Sequence, residues 1–163
     1  MSISPEEAAL ALLERRKARE ELMAFVTLTK PDFEVGAHHQ VIASALQRVE
    51  SGDCKRLMIF CPPRHTKSEL ATRRFPAWYL GRNPNAQVIS ASYNSELSSD
   101  FGREVRNLVS SGVYGKVFPD AKLSEDSQAA NRWHLKTGGA YIAAGVGTAI
   151  TGRGANLAIV DDP

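Results

Sequence analysis

The sequence predicts an α/β fold in which helices flank a central sheet of mainly parallel strands. Segments with apolar residues at helical spacing alternate along the chain with short apolar runs bounded by turn residues. Two of those runs, residues 56–61 and 157–160, are almost continuously apolar, which is typical of buried strands, and the run over 56–61 predicts a strand buried on both faces. A chain of 163 residues, 43% of them hydrophobic, can form one such domain with a core.

Composition excludes several classes of protein. Lys and Arg total 20 and Asp and Glu total 18, and a net charge of +2 does not by itself indicate a nucleic-acid-binding surface. Two cysteines exclude a disulfide scaffold. The N-terminus lacks the pattern of a signal peptide, and no apolar run is long enough to span a bilayer. We therefore expect a soluble, cytosolic protein with no membrane partner.

The N-terminal segment, residues 1–28, is predicted to be helical. Ser4 can cap a helix, Pro5 suits its first position, and Glu7 completes a capping box. Apolar residues continue to about Val26, where the helix is expected to end.

The remaining elements follow from turn residues and from the spacing of apolar residues. Pro and Gly mark the loops, and Gly138-Gly139 marks a hairpin turn. In the first half we predict a loop over 29–36, a helix over 37–50, a strand over 56–61, a helix over 68–75 and a short helix to Leu80. A turn over 81–85, a strand over 87–93 and a helix to Val109 follow. The rest is predicted as irregular structure over 112–132 with a short turn at 114–118, hairpin strands over 132–137 and 140–146, a glycine-rich loop over 145–154, and a strand over 157–160.

Residues 62–68 have the organisation of a phosphate-binding loop. They join a predicted strand to a predicted helix, and Lys67 and Ser68 stand at the helix start. In such loops backbone amides and the helix dipole hold phosphate charge, the Lys reaches the β- and γ-phosphates, and the hydroxyl binds Mg²⁺. The residues predicted to bind ATP are Pro63, Arg64, His65, Thr66, Lys67 and Ser68.

The loop departs from the usual pattern because it lacks the two glycines of that pattern. Cys61 and Thr66 occupy the two positions where glycine is normally found. The alternative interpretation is a Pro-Pro turn that leads into a helix, with Lys67 in solvent.

A second motif favours the nucleotide site over that alternative. Residues 157–160 are apolar and are followed by Asp161 and Asp162. Two carboxylates at the end of a buried strand are costly without a cation, and such strand ends face the ligand crevice of an open α/β sheet. Together the two motifs predict a nucleotide site in which the Ser68 hydroxyl binds Mg²⁺ and an acidic residue after 157–160 holds the ion through water.

Several stretches resemble the large terminase subunit of tailed phages, and the similarity covers about residues 29–163. They are residues 62–69, 75–81, 90–93, 101–106, and 151–157 with the Asp161-Asp162-Pro163 end. In that family an N-terminal ATPase domain drives double-stranded DNA into a capsid, and a C-terminal nuclease domain cuts the DNA. The resemblance implies a P-loop fold of the type with an additional strand and a catalytic carboxylate.

The resemblance also implies catalytic roles. Lys67 contacts the phosphates, Ser68 coordinates Mg²⁺ and Asp161 holds the magnesium shell. Asp162 polarises the attacking water, at a position where the family more often has Glu. Arg153 resembles the arginine finger that acts on a neighbouring subunit, and it is favoured over Arg64, which lies beside its own phosphates. The implied partners are double-stranded DNA, the small terminase subunit and the capsid portal. The resemblance further implies a ring of identical subunits that works in the cytoplasm of the bacterial host.

The sequence stops one residue beyond Asp162. Compared with the family, it is therefore expected to hold a partial ATPase domain over 29–163 that ends at the Walker B motif. We expect this chain to lack the central strand and the nuclease domain of the family. We expect the isolated chain neither to hydrolyse ATP at a useful rate nor to cut DNA. Two alternatives stay open: a remnant or split-gene half that binds nucleotide or a partner without turnover, and a helicase-like ATPase.

Overall fold

A computed structural model describes residues 4–145 and 154–162. In these ranges six α-helices, one π-helical segment and five strands follow one another. They are α1 (Pro5–Glu20), α2 (Leu22–Thr29), α3 (Ala37–Glu50), the π-helical segment (Glu69–Arg74), α4 (Phe75–Arg82), β1 (Gln87–Ser92), α5 (Ser95–Val109), α6 (Gly112–Val117), β2 (Leu123–Ala129), β3 (Arg132–Leu135), β4 (Ala140–Gly145) and β5 (Leu157–Asp161).

The five strands form one mixed sheet in the order β2-β3-β4-β1-β5. β1 pairs in parallel with β4 on one side and with β5 on the other. β3 pairs antiparallel with both β2 and β4. The predicted α/β class is confirmed, but the sheet is mixed rather than mainly parallel. A tight turn, in which Gly138 adopts a φ of 104°, returns β4 antiparallel beside β3.

The helices and the sheet share one hydrophobic core. Helix α5 packs against β4 and β1, and Trp133 of β3 stacks on Tyr141 of β4 with ring centroids 5.1 Å apart. The largest fully buried side chains are Trp78, Trp133, Tyr114, Tyr141, Phe25 and Phe75. Aromatic residues of this size dominate the apolar area that folding removes from water.

The N-terminal helical segment begins as predicted and ends differently. The side chain of Ser4 accepts a hydrogen bond from the backbone of Glu7, and the Glu7 carboxylate accepts one from the backbone of Ser4. However, Glu21 is extended, with φ −122° and ψ 124°. The single helix expected to reach Val26 is therefore two helices, and the change of direction lets α2 bury four residues in the core.

The predicted strand over residues 56–61 is wrong. These residues form no strand, although Leu57 and Ile59 are partly buried against the core while Met58 and Phe60 face solvent. Phe60 is 91% exposed. Alternate burial shows an extended chain, but among the described residues no strand pairs with it. A strand needs such a neighbour to hydrogen-bond its amides and carbonyls.

The last predicted strand is present as β5, but it is not buried on both faces. Leu157 and Asp161 are buried, whereas Ala158 and Val160 are exposed. Among the described residues β5 pairs only with β1. It is thus an edge strand with one covered face.

Residues 112–132, expected to be irregular, contain α6 and β2. The sequence of β2, LSEDSQA, has no apolar run that predicts a strand; it is a strand because β3 lies beside it. Helices α3 and α5, strand β1 and the β3–β4 hairpin are confirmed near their predicted positions. Most of the predicted glycine-rich loop, residues 146–153, lies outside the described residues.

Candidate functional site

The phosphate-loop candidate adopts a backbone that L-residues rarely take. Lys67 and Ser68 are the first helical residues before the π-helical segment. In the preceding loop Arg64 has φ 65° and Thr66 has φ 55°. A left-handed conformation costs roughly 1–2 kcal/mol for a residue other than glycine. Thr66 thus adopts the conformation that glycine takes freely, at the position where the usual motif has glycine.

Lys67 joins the two sequence motifs. Its Nζ donates to Oδ1 of Asp162 at 2.6 Å and lies 3.3 Å from Oδ1 of Asp161. The hydrogen bond to Asp162 raises the pKa of Lys67, burial opposes that rise, and Asp161 adds to it. The ammonium group is therefore held charged between two carboxylates that are far away in the sequence.

Asp161 is held by its surroundings, whereas Asp162 is open to solvent. Asp161 is 6% exposed, and its Oδ2 accepts a hydrogen bond of 2.8 Å from Oγ1 of the buried Thr72. It lies at the carboxyl end of β5, opposite Ser92 of the parallel strand β1. The Asp162 side chain is 73% exposed, and its φ is 47°.

The donor chemistry suits a hard divalent cation. Ser68 contributes a half-buried hydroxyl and Asp161 a buried carboxylate, and Mg²⁺ prefers oxygen ligands and keeps several waters or phosphate oxygens of its own. In the described part of the chain no group of three or more His, Cys, Asp or Glu side chains could hold a metal.

The other predicted site residues fall into two sets. Pro63, Arg64 and His65 are exposed in the loop, where His65 Nδ1 lies 3.0 Å from the carbonyl oxygen of Pro63. Arg153, the predicted arginine finger, lies outside the described residues. Its role in a neighbouring subunit stays a prediction.

Two residues at the site were missed by the sequence analysis. Thr72 follows Ser68 by one helical turn, a spacing that could have indicated a second hydroxyl near the carboxylates. His39 of α3 lies with its Nε2 2.5 Å from Oγ1 of Thr66. No spacing rule connects α3 to the loop, so this contact follows only from the tertiary packing.

A groove of about 780 Å³ leads up to the site. One wall is residues 54–59 and the other is residues 155–161, which include β5. Lys67, Thr72 and Asp161 also line it, together with apolar side chains such as Phe75 and Ile159. The Asp161 carboxylate thus lies beside an open cleft with a mixed polar and apolar lining.

Comparison of the chain with protein-family models, curated proteins and solved structures gives no match. Within the described ranges no helix has the length and apolar character needed to cross a membrane.

Proposed function

We propose that this chain is an ATP-binding module of the kind found in large terminase subunits, with residues 62–68 receiving the phosphates. The observation that supports it best is the position of Lys67, which contacts both Asp161 and Asp162. A lysine at a helix start, beside acidic residues at the end of a parallel strand, is the arrangement that nucleotide phosphates and their cation require.

The charges of the site support the binding of a cation together with the nucleotide. One ammonium group faces two carboxylates, so these three side chains carry a net negative charge. Asp161 is buried, and a buried carboxylate is strongly destabilising without a partner. With ATP bound, Lys67 would exchange its carboxylate partners for phosphate oxygens, and Ser68 and Asp161 would hold Mg²⁺. The bound Mg²⁺ supplies positive charge that neutralises the phosphates.

Asp162 is the residue proposed to activate water. Its exposed carboxylate can accept a proton as the water oxygen bonds to the γ-phosphorus and the bond to the ADP oxygen breaks. Arg153 and Arg64 are the candidates for stabilising charge on the transferred group. Double-stranded DNA, the small terminase subunit, the capsid portal, a ring of identical subunits and the bacterial cytoplasm all belong to this proposal.

Titration of Mg²⁺–ATP onto the 163-residue chain and onto a Lys67→Ala variant tests the proposal. The variant removes a charge-assisted contact worth roughly 1.5–3 kcal/mol, so we expect affinity to fall about tenfold to a hundredfold. Lys136→Ala is the matched control, since it also breaks a lysine–carboxylate pair, with Glu125 at 2.8 Å, but on the surface. Equal affinities of the wild type and Lys67→Ala, or no binding by the wild type, contradict the proposal.

A second candidate function is nucleotide binding without turnover. It is favoured by the ion pair of Asp162, because a carboxylate that keeps Lys67 at 2.6 Å with nucleotide bound would be a weaker base toward water. Phosphate release at saturating ATP separates the two functions. Release by the wild type no faster than by Lys67→Ala supports binding alone. Release that is abolished by Asp162→Asn supports hydrolysis.

A further inference from the structure

The left-handed backbone of Thr66 needs an explanation in the surrounding structure. Threonine is β-branched, and a β-branched residue with φ near 55° is unusual. Such a conformation persists only where neighbouring groups hold it. The carbonyl of Thr66 accepts a hydrogen bond of 3.2 Å from the amide of the buried Leu70, so this backbone also begins the helix that carries Lys67.

His39 supplies the holding contact. Its Nδ1 accepts a hydrogen bond of 2.9 Å from the backbone amide of Gly36, and its Nε2 lies 2.5 Å from the hydroxyl of Thr66. A backbone amide can only donate, so Nδ1 carries no proton and Nε2 is the protonated nitrogen in neutral His39. Nε2 therefore donates to Thr66.

Contacts other than the one with Thr66 fix the position of the His39 ring. It is buried at the start of α3, and its ring lies against Phe33 with centroids 4.8 Å apart. Burial, and then the charge of His38, lower the pKa of His39, while the backbone carbonyls of His65 and Glu34 act in the opposite direction. The neutral form, with one donor and one acceptor, is thus the favoured form.

We infer that His39 is a positioning residue of the phosphate loop. Its hydrogen bond holds Thr66 in a left-handed conformation, which glycine adopts in other phosphate loops without such a contact. This inference rests on the proposed function, since it names how the same site is kept ready for phosphate. It predicts that the two positions depend on each other: a loop with threonine needs the histidine, and a loop with glycine does not.

A double-mutant cycle tests this dependence. The proteins are the wild type, His39→Phe, Thr66→Gly and the double variant. Phenylalanine keeps a ring against Phe33 but has no donor for Thr66. We expect His39→Phe to weaken Mg²⁺–ATP binding about tenfold when residue 66 is threonine. When residue 66 is glycine we expect less than about a twofold change, because the coupling between groups in contact lies in the pair.

Three further outcomes separate a positioning role from a structural one. His39→Gln can place a donor near the position of Nε2 and should recover most of the affinity. Equal losses in the threonine and glycine backgrounds overturn the inference, because they show that the ring supports the fold in general. No loss in the threonine background overturns it as well.

Amide exchange without nucleotide distinguishes failure of this inference from failure of the proposed function. The Leu70 amide reports the Thr66 carbonyl directly. His39→Phe should speed its exchange by about tenfold, with the amides of β4 unchanged, because only the local opening changes. Unchanged Leu70 exchange overturns the inference even in a chain that binds no ATP. Faster exchange in such a chain supports the inference and contradicts only the proposed function.

Discussion

The two neighbours of β1 differ in how completely they are covered. On one side β4 is buried along nearly its whole length, packs against α5, and is followed in the sheet by β3 and β2. On the other side β5 buries alternate residues only, and Val160 on its open face is 63% exposed. Among the described residues no strand continues the sheet beyond β5.

The candidate site lies where this cover ends. Asp161 is buried, but it lies at the end of β5 within reach of Lys67 and Thr72. A carboxylate in the middle of β4 would be surrounded by apolar side chains and would lack such partners. The β4 side thus mainly stabilises the fold, and the β5 side presents the residues of the candidate site.

The largest expected effect is on the covered side. Trp133→Ala removes a fully buried ring that stacks on Tyr141 and donates to the carbonyl oxygen of Gly102. We expect the free energy of unfolding to fall by about 3–5 kcal/mol in a denaturant titration. The control is Phe60→Ala, beside the β5 edge, which should change it by less than about 0.5 kcal/mol. A large loss from Phe60→Ala would mean that residues 56–61 are covered in solution.

The next largest loss of stability is expected on the β5 side. Thr72→Val keeps the shape of the side chain but removes the donor to the buried Asp161 carboxylate. We expect a loss of about 1–3 kcal/mol in unfolding free energy, together with weaker Mg²⁺–ATP binding. Thr27→Val, which removes an exposed hydroxyl bonded within its own helix, is the control and should be nearly neutral. Unchanged binding in Thr72→Val would show that Asp161 needs no positioning.

The two sides should also respond to opposite extremes of pH. Burial raises the pKa of Tyr141 to about 12, so the folded chain keeps a proton that the unfolded chain loses above its ordinary pKa. Stability is therefore full below about pH 10, and we expect it to fall by roughly 1 kcal/mol between pH 10 and 11. Tyr141→Phe should remove this decline in unfolding titrations. A decline that persists in the variant would assign it to other groups.

On the β5 side, stability is expected to fall with decreasing pH instead of increasing pH. Burial and the charge of His38 lower the pKa of His39, so the unfolded chain binds the proton more readily. Stability is full above the ordinary histidine pKa of about 6.5 and falls as the pH drops below it. His39→Phe should flatten this acid limb, measured from pH 7.5 downwards, and leave the alkaline limb unchanged. An acid limb of unchanged slope in the variant would contradict the assignment.

The smallest effect distinguishes the faces of adjacent strands. Val160→Thr on the open face of β5 should change the free energy of unfolding by less than about 0.5 kcal/mol. Val88→Thr in β1 places a hydroxyl at a fully buried position and should cost about 1–3 kcal/mol. Chemical denaturation of both variants checks the contrast. Similar costs at the two positions would show that β5 is covered on both faces.

The sequence predicted those features that depend on neighbours along the chain. The capping box of Ser4 and Glu7 and the Gly138-Gly139 turn between β3 and β4 each involve residues only a few positions apart. The approach of Lys67 to Asp161 was also anticipated. The ground for expecting it was half wrong, because both motifs were expected at strand ends, whereas only Asp161 follows a strand and residues 56–61 before the loop form none.

Only the tertiary structure decided the rest. The apolar run over 56–61 has the composition of a buried strand, yet strand pairing depends on a neighbour that local sequence does not specify. For the same reason polar β2 is a strand beside β3. The contacts of His39 with Thr66 and of Thr72 with Asp161 join segments distant in sequence. Sequence by itself therefore determined the helix caps, the hairpin turn and the chemical types of the candidate site residues. Packing determined which strands are paired and which side chains hold the loop and the carboxylate, because those depend on distances that only the folded chain sets.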